Sequence, residues 1–437
     1  MGDALSGYAG YFKRNVPEPD AELTRVGPDT PCGEWLRRHW QPIALAAEVA
    51  ELPRALRILG EELVLFRDRG GRLGLLNLHC SHRGASLEFG VIQARGIACS
   101  YHGWHYDIDG RILATPAEQG DRIGARIVHG AYPVREVDGI VFAYLGHPDD
   151  MPPLPRYDTQ EGTDTERVPF ALETPCNWMQ VYENTQDPVH VVYLHTRMTG
   201  EQFGDASGAD QRIDFRITPI GMVNVQTRLW NGHWWTRLTE TILPNGNQTG
   251  AIWEAADRPK VFQRSAMLRW MVPIDDTHTL TIGWRHFRPE LDPDGRGDRT
   301  KVGRQSIDFI GQTESERPYE ERQRAPGDYE VQVSQRPIAV HALENLAGSD
   351  RGVVMLRRLV REAVRSAARA PAAGGLIGTY CQDTVWPARD ARAEPAALEA
   401  FGRLVADAVI GGGAVPESER RVKLRAALEA HYPQGGG

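Results

Sequence analysis

Short apolar runs separated by turn dipeptides fill residues 41–146 of the chain. The runs read RALRILG, EELVLFRD, GLLNLHC, GIACSYH and GIVFAYLG, and the dipeptides are Gly70-Gly71, Asp109-Gly110 and Asp138-Gly139. Runs of this length beside Gly-Gly or Asp-Gly pairs are typical of antiparallel strands joined by hairpins. The pattern predicts a small antiparallel β domain over residues 41–150.

A second set of longer strand-like stretches follows a Pro- and Asp-rich segment over residues 147–163, which we interpret as an inter-domain linker. The stretches read RIDFRITPIGMVNVQTRLW, HWWTRLTETILP, VFQRSAMLRWMVP and HTLTIGWRHF, with turns at Pro244-Asn245-Gly246 and Asp275-Asp276. They predict one large, twisted antiparallel sheet within a second domain over residues 151–437.

Four segments have the apolar spacing of helices. They are residues 31–40, 177–195, 350–368 and a last helix near 417–431. The first of them belongs to an N-terminal helical segment over residues 1–40. A large sheet with a long C-terminal helix fits an α+β helix-grip fold. The chain therefore combines a small antiparallel β domain with a helix-grip domain.

Composition narrows the classes of partner. A chain of 437 residues with 41% hydrophobic content can form more than one core. Its net charge of -8 gives little support for binding nucleic acid or an anionic membrane.

No stretch approaches the roughly 20 apolar residues of a membrane span, and the N-terminus lacks a signal-like run. We expect a cytoplasmic protein, and Cys32, Cys176 and Cys381 are too scattered to suggest disulfides.

Two short segments each place one cysteine close to one histidine. Cys80 and His82 are followed, after sixteen residues, by Cys99 and His102. Zinc binds two thiolates and two imidazoles on one tetrahedral ion, whereas a Rieske [2Fe–2S] cluster has both thiolates on one iron and both imidazoles on the other. The order Cys-x-His, Cys-x2-His favours the cluster, because each loop can give one ligand to each iron. A zinc site remains the alternative.

Two further histidines, His190 and His195, follow Asp187 in the second predicted helix, residues 177–195. Two imidazoles and a carboxylate suggest a mononuclear iron with open positions for dioxygen. Residues five apart lie about 140° apart on a regular helix, so both histidines can face one ion only if the helix is distorted or ends between them. Pro188 makes such an irregularity plausible, although Asp187-Pro188 is also an ordinary helix start.

The two motifs together resemble the Rieske non-haem iron oxygenases. Ala85 and Tyr101 stand where respiratory Rieske proteins carry disulfide cysteines, which points to the oxygenase and ferredoxin branch. Members of the family share a series of short motifs in the order found over residues 177–195: Asn-Trp, Glu-Asn, Asp-x2-His and x4-His. The resemblance implies that His190 and His195 bind Fe(II), and that Asp187 hydrogen-bonds both His190 and a Rieske histidine and so carries the electron path.

The resemblance also implies which residue supplies the carboxylate ligand of the mononuclear iron. The stretch PGDYEVQVSQRPIAVHALENLAGSD is similar to the segment that supplies it in phthalate-dioxygenase-type members, which include dehydrodivanillate O-demethylase. This places the ligand at Asp328, with Glu330 as the second choice, whereas the residues alone suggest only a turn after Pro326-Gly327. Asn184 is a candidate catalytic residue of the pocket.

Activity and partners follow from the same resemblance. It implies an oxygenase (alpha) component that uses dioxygen to O-demethylate or hydroxylate a small, carboxylated aromatic substrate, with cis-dihydroxylation of a phthalate-like acid as an alternative. The chain has no Gly-rich dinucleotide fingerprint after a strand, so an NAD(P)H-dependent flavin and iron–sulfur reductase is implied. A head-to-tail homotrimer would bring His102 of one subunit to Asp187 of the next.

The substrate pocket is the least defined part of these predictions. Strand residues that could line it share long polar or aromatic side chains: Arg212, Arg216, Trp234, Trp235, Arg285 and His286. Arginine could pair with a substrate carboxylate, but an exposed strand arginine is the commoner case. A non-catalytic iron–sulfur electron carrier would have the first motif and two irons per chain, whereas the oxygenase requires three.

Overall fold

The computed structural model describes residues 9–118, 123–124, 126–161, 164–200, 202–366, 376–388, 394–411 and 416–433. Two short helices, α1 (Ala21–Thr24) and α2 (Pro31–Arg37), precede the sheets. Helix α2 begins where the Thr30 side chain accepts a hydrogen bond from the Gly33 amide. Trp35 and Leu36 are buried, and the helix ends before Trp40, which begins the first strand.

The first β region is a set of small antiparallel sheets, as the turn dipeptides predict. Its strands are β1 (Trp40–Leu45), β2 (Arg54–Ile58), β3 (Glu61–Arg67), β4 (Leu73–Asn77), β5 (Val91–Ile92), β6 (Ile97–Ala98), β7 (His105–Tyr106), β8 (Ile112–Ala114), β9 (Ala131–Tyr132), β10 (Val134–Val137) and β11 (Ile140–Tyr144). The sheet orders are β1-β11-β10, β2-β3-β4-β9 and β5-β6-β7-β8. Asp138 and Gly139 both have positive φ, as a tight hairpin turn requires.

The second β region is dominated by one nine-stranded sheet. Its strands are β13 (Glu166–Thr174), β14 (Gln211–Thr218), β15 (Gly221–Trp230), β16 (His233–Ile242), β17 (Gly246–Thr249), β18 (Lys260–Arg264), β19 (Met267–Asp275), β20 (His278–Phe287) and β22 (Gln382–Pro387). The main order is β13-β20-β19-β17-β16-β15-β14, and β22 pairs with β16 and β18. The short strands β12 (Arg156–Tyr157) and β21 (Leu376–Ile377) pair in parallel. Strand β12 lies in the predicted linker, of which residues 162–163 are outside the described residues.

The helices of this region support the predicted class and correct some of its details. They are α3 (Trp178–Glu183), α4 (Pro188–Val192), α5 (Tyr319–Arg324), α6 (Asp328–Ser334), α7 (Arg351–Ser366), α8 (Pro395–Ile410) and α9 (Glu417–His431). The helical segment predicted over residues 177–195 is interrupted at Asp187, which adopts φ -110°, ψ 83° before Pro188. The predicted end of α7 at residue 368 lies outside the described residues, and α8 was not predicted.

One hydrophobic core runs through both β regions. The ring of Phe142 on β11 lies 5.6 Å from Trp270 and 6.0 Å from Trp284, two residues of the large sheet. Helix α7 lies against the first helices, where Arg361 pairs with Asp20 at 2.6 Å.

The domain boundaries at residues 40 and 150 stay predictions. Among the described helices, none has the length and apolar character needed to cross a membrane.

Glu240 on β16 is a fully buried carboxyl group outside the candidate metal centres. One oxygen accepts backbone hydrogen bonds from Tyr380 at 2.8 Å and Cys381 at 3.3 Å, and the other oxygen has no hydrogen-bond partner among the described residues. Burial, helped by the neighbouring Asp158 and opposed by the two backbone hydrogen bonds, raises the pKa of Glu240 to about 8. The pKa of this carboxyl is lower in the unfolded chain. Between that lower pKa and about pH 8, the folded protein therefore keeps a proton on Glu240 that the unfolded chain has released.

We expect Glu240→Gln to stabilise the protein at alkaline pH. The contribution of the protonated Glu240 carboxyl to the free energy of unfolding is complete below the pKa that this group has in the unfolded chain, and it is lost as pH rises through about 8. The amide oxygen of glutamine can still accept both backbone hydrogen bonds. The variant should gain roughly 1–3 kcal/mol of unfolding free energy at pH 8 and almost none at pH 5, measured by urea denaturation. Glu429→Gln on the exposed side of α9 is the control, and an equal change at both pH values would contradict the prediction.

Candidate metal centres

The two Cys-His loops have the same backbone hydrogen bonds. In the first loop, after β4, the Gly84 amide donates to the Cys80 carbonyl at 2.8 Å, and in the second, between β6 and β7, the Gly103 amide donates to the Cys99 carbonyl at 2.9 Å. Both glycines have a φ of 74°, a conformation that favours glycine. The two loops are therefore matched turns that present one cysteine and one histidine each.

The four side chains are arranged by type. The rings of His82 and His102 lie 4.6 Å apart, and the Cys99 thiol is adjacent to the Cys80 thiol. Donors to one tetrahedral zinc would lie roughly 3.3–3.8 Å apart. Described residues gather three or more donor atoms within 4.8 Å in two places, and neither includes these loops. The buried Nδ1 of His82 has no partner among the described residues, as expected of a metal ligand. The wider spacing of the donors fits a Rieske [2Fe–2S] cluster rather than a single zinc ion.

Tyr106 adds a contact that the sequence analysis missed. Its buried hydroxyl lies 3.0 Å from the Cys80 sulfur. A cluster-bound thiolate can only accept, so the hydroxyl would donate. On the other side of the centre, the ring of Trp104 stacks on His82 at 4.8 Å. Trp104 and Tyr106 follow His102 by two and four residues, so the aromatic residues beside the second Cys-His pair were the available signal.

The second centre depends on how the chain turns between His190 and His195. After α4, residues Tyr193–Arg197 form a π-helical turn, in which the Met198 amide donates to the Tyr193 carbonyl at 2.8 Å. A π turn contains more residues than an α turn, so it brings residues five apart towards the same side. The two imidazole rings lie 5.3 Å apart. The distortion that their spacing required is present.

Asp328, the first residue of α6, joins the two histidines. Its Oδ1 lies 3.3 Å from Nε2 of His195 and 3.7 Å from Nε2 of His190. This oxygen and the His195 Nε2 are buried and have no hydrogen-bond partner among the described residues, as expected of atoms that face a metal ion. Burial alone would raise the pKa of Asp328, but the two histidines hold it well below its usual range. The set can hold an ion through two imidazoles and one carboxylate.

Glu330, the second choice for the carboxylate ligand, is occupied elsewhere. Its carboxylate accepts a hydrogen bond from the Gly327 amide at 2.7 Å and lies 3.4 Å from the Arg317 guanidinium. It is not part of the group formed by the two histidines and Asp328. Asp328 is therefore the residue that the fold brings to this point.

Asp187 has a local structural role. Its Oδ1 accepts hydrogen bonds from the amides of Val189 at 3.1 Å and His190 at 3.4 Å, so it caps α4. The His190 Nδ1 contacts the Asp187 carbonyl oxygen, which directs Nε2 towards Asp328. Among the described residues, no hydrogen bond or ion pair joins residues 184–198 to the Cys-His loops of the same chain. Any contact between Asp187 and a cluster histidine would come from another subunit.

A cavity of about 60 Å³ lies beside this centre. Asn184 lines it, as predicted, together with Asp187 and the three donors. Its other polar walls come from one face of the large sheet: Asn224, Gln226, Arg237, Thr239, Asn247, Thr249 and Arg269. Its apolar side includes Phe203, whose ring stacks on His195 at 4.0 Å.

The other predicted pocket residues lie elsewhere, and that prediction is wrong. On β14, Arg212 is exposed and Arg216 pairs with Asp214 at 2.9 Å. Arg285 pairs with buried Asp308 at 3.0 Å, and the Nδ1 of His286 lies 3.0 Å from the Ser265 carbonyl oxygen. Trp234 packs on Phe401 of α8, and the Trp235 indole donates to Asp383 at 2.8 Å. Each is used by the protein's own packing or lies outside the cavity.

The cavity arginines were missed, although strand alternation contains a signal. Alternate residues of a strand share a face, so Trp235, Arg237 and Thr239 lie on the same side of β16. Arg237 pairs with Asp383 of β22 at 2.8 Å. Arg269 lies on β19 and donates from Nε to the Asn247 Oδ1 at 3.1 Å.

Comparison with known proteins agrees with both centres. Residues 39–133 match the family described as Rieske [2Fe-2S] domain. The chain is 47% identical over 387 residues to the tert-butanol monooxygenase / tert-amyl alcohol desaturase oxygenase subunit of Aquincola tertiaricarbonis, covering 85% of this chain and 81% of that protein. It is 32% identical over 355 residues to the 5,5'-dehydrodivanillate O-demethylase oxygenase subunit of Sphingobium sp., covering 78% of each.

The same fold occurs in solved structures. The crystal structure of dicamba monooxygenase bound to dicamba superposes with a TM-score of 0.56 at 18% identity, covering 76% of this chain and 98% of that one. At this identity the likeness concerns the fold alone. It supports the small antiparallel β region and the large sheet with helices as one recurring architecture.

We expect Tyr106→Phe to lower the reduction potential of the cluster by tens of millivolts. Removing a hydrogen bond to a cluster sulfur favours the oxidised form, because that bond stabilises the added electron. Redox titration followed by EPR would measure the shift. Tyr132→Phe is the control, since its hydroxyl bonds to Glu61 away from the loops. An unchanged potential in Tyr106→Phe, with the cluster intact, would contradict the assignment.

Proposed function

Because the chain belongs to the Rieske non-haem iron oxygenases, as an oxygenase (alpha) component of the phthalate-dioxygenase type, we propose that it O-demethylates or hydroxylates a small carboxylated aromatic substrate with electrons from a separate reductase. The observation that carries the proposal is the His190–His195–Asp328 set beside a polar cavity, in the same chain as the Cys-His loops. An electron carrier would need only the loops.

The proposed ligands divide between the two centres. Cys80 and Cys99 would hold one iron of the cluster, His82 and His102 the other, and the second centre would hold a mononuclear Fe(II). When bound, the cluster supplies electrons one at a time and the mononuclear iron activates dioxygen. A separate NAD(P)H-dependent flavin and iron–sulfur reductase is proposed because the sequence lacks a dinucleotide fingerprint.

Arg269 is the feature that favours a carboxylated substrate. The residue lines the cavity, and its Nε donates a hydrogen bond to Asn247, the one such bond of this guanidinium to the described residues. Within the described part of the chain, no carboxylate forms an ion pair with it. Burial lowers the pKa of Arg269, while Asp328 opposes that effect. A guanidinium left unpaired in a buried site is unfavourable, and a substrate carboxylate could satisfy both terminal nitrogens at once.

Other cavity residues would position the substrate and limit water. Asn184 follows α3 and places its side chain on the cavity wall, where we propose that its amide orients the substrate. Phe203 and Phe309 form an apolar side, with their rings 6.1 Å apart. An apolar wall next to the reacting position restricts water there, which favours transfer of oxygen to the substrate over side reactions.

Two outcomes fit the same ligands. In O-demethylation, one oxygen atom enters a methyl C–H bond of an aryl methyl ether, and the hemiacetal breaks down to a phenol and formaldehyde. The second oxygen atom leaves as water after two electrons and two protons are supplied. In cis-dihydroxylation, both oxygen atoms enter the ring. We favour transfer of one atom, because the curated relatives above include a monooxygenase and a demethylase.

A second candidate is hydroxylation of a small neutral alcohol. The cavity of about 60 Å³ has room for only a few water molecules, and most of its polar walls are uncharged amides and hydroxyls. The relative from Aquincola tertiaricarbonis is named for tert-butanol and tert-amyl alcohol. Arg269 distinguishes the candidates, because a neutral alcohol leaves its charge unpaired.

The test combines metal content with a substrate panel. The wild-type protein should contain three irons per chain, and with NADH and a generic reductase it should release formaldehyde from a methoxybenzoate. In Arg269→Gln, KM for the carboxylate should rise at least about tenfold, because a charge-assisted pair is lost, while any turnover of tert-butanol should be unaffected.

Arg269→Lys and Arg212→Gln serve as comparisons. Lysine should restore part of the affinity, since it keeps the charge but not the paired geometry. Arg212→Gln should match the wild type, because Arg212 is exposed and outside the cavity. Turnover of the alcohol alone would reject the carboxylated substrate, and two irons per chain would reject the oxygenase.

We also propose that the protein forms a head-to-tail ring, such as a trimer. Exposed apolar side chains lie next to each centre: Phe89 (71% exposed) and Tyr101 (58%) near the loops, and Tyr193 (48%) and Met198 (73%) near the histidines. Such side chains are typical of surfaces that another chain covers. A heterologous contact between the two ends closes without fibres if it forms a ring. His102 of one subunit would then meet Asp187 of the next.

Asp187→Asn should separate the capping role of Asp187 from its role in electron transfer. Asparagine caps helices about as well as aspartate, so thermal stability should change by less than about 0.5 kcal/mol. The loss of charge at the proposed subunit contact should slow oxidation of the reduced cluster at least about tenfold, measured by stopped-flow absorbance with substrate and dioxygen.

Asp187→Ala supplies the contrast, because it removes both the cap and the charge. It should lose about 1 kcal/mol of stability in addition to the slower oxidation. Rapid cluster oxidation in Asp187→Asn, at the wild-type rate, would exclude the proposed electron path through this residue.

A further inference from the structure

Two glutamines lie directly behind the ligands of the second centre. We infer that Gln312 and Gln202 are positioning residues: Gln312 limits Asp328 to ligation through one oxygen, and Gln202 fixes the tautomer of His195. The inference rests on the proposed function, since it assumes an iron at His190, His195 and Asp328. It concerns what the chain's own side chains do to those ligands.

Gln312 gives the two oxygens of Asp328 different partners. Its Nε2 donates to the Asp328 Oδ2 at 2.9 Å, while Oδ1 faces the two histidines and accepts no hydrogen bond from the described residues. Ligation through both oxygens would turn Oδ2 away from this amide and break the hydrogen bond. A carboxylate held in this way uses one coordination position, which leaves more positions for dioxygen and substrate.

The backbone fixes Gln312 against the start of α6. Gly311 has a φ of +86°, and the Tyr329 amide donates to the Gly311 carbonyl at 2.9 Å. A Cβ on Gly327 would lie 2.3 Å from the Gly311 Cα, so only glycine permits this approach. The Glu316 carboxylate also accepts a hydrogen bond from the Gly311 amide at 2.7 Å. The backbone that carries Gln312 is therefore fixed against α6, which keeps its amide within reach of Asp328.

Gln202 determines which nitrogen of His195 carries the proton. Its Nε2 donates to the Thr199 Oγ1 and to the Pro326 carbonyl oxygen, each at 2.9 Å. The amide nitrogen is thus fully used, and the remaining Oε1, 3.0 Å from the His195 Nδ1, can only accept. Nδ1 then carries the proton, and Nε2 presents its lone pair towards Asp328. The same amide connects the histidine segment to the segment that precedes Asp328.

Gln312→Met tests the first role, because it keeps the length of the side chain and removes the donor. Fe(II) affinity should fall about 10–100-fold, measured by titration of the iron-depleted, cluster-loaded protein. The near-infrared magnetic circular dichroism of the ferrous site should change, since the carboxylate can turn its second oxygen inward. Gln323→Ala, on the exposed side of α5, should leave both readouts as in the wild type.

Gln202 is tested with two variants that separate its bonds. Gln202→Glu keeps an acceptor for the His195 Nδ1 but removes the donors to Thr199 and Pro326, so it should lower thermal stability and leave the dichroism bands in place. Gln202→Met removes the acceptor as well, so the bands should shift. A glutamine with only a structural role would lower stability in both variants without moving the bands in either.

The outcomes separate this inference from the proposed function. If the wild-type protein fails to bind a third iron per chain, the proposed function fails. If it binds that iron, and Gln312→Met changes Fe(II) affinity less than about threefold with unchanged dichroism, only the inference is overturned. Should Gln312→Met fail to fold, Gln312→Asn keeps the amide but withdraws it by one methylene, and the same loss of affinity and band shift are expected.

Discussion

The second centre depends on two imidazoles that must face one point although their residues are five apart in sequence. A regular helix would place them about 140° apart. The chain solves this with a break at Asp187 before Pro188 and a π turn over Tyr193–Arg197. The break at Asp187 interrupts the helical hydrogen bonds, and the Asp187 cap and side-chain hydrogen bonds to the sheet from Thr185 and Gln186 offset this in part. The local backbone is therefore shaped by the ligands rather than by helix propensity.

The large sheet contributes a polar face where a buried sheet usually has an apolar one. Arg237, Thr239 and Asn247 lie on this face, and Arg237 is neutralised by Asp383 from the last strand. Burying such groups is unfavourable unless each finds a partner. The partners present are other strand residues, so the cavity keeps its shape without substrate. Arg269 differs in that, among the described residues, its charge has no carboxylate in an ion pair, although its Nε donates to Asn247, and it lies at the cavity wall with Asp328.

Local features of the site were predictable from sequence, and features set by register were not. The loop cysteines and histidines follow from short spacings, and His190 and His195 from one segment. Asp328 is 133 residues from His195, and only the family resemblance pointed to it. The predicted strands formed, but which face of β16 and β19 points inward depends on register across the sheet, so Arg237 and Arg269 were missed. Helix α8 was missed although its sequence, PAALEAFGRLVADAVI, has strong helix formers.

The contact of Phe142 with Trp270 and Trp284 joins the region that carries the loops to the large sheet. Neither part can be excised without exposing a buried aromatic surface, so we regard them as one cooperative unit despite their separate sheets. A rigid joint also means that the orientation of the loops is inherited by every subunit of an assembly. In the ring proposed above, strands of the pocket could then change in evolution without altering the contact between neighbouring subunits.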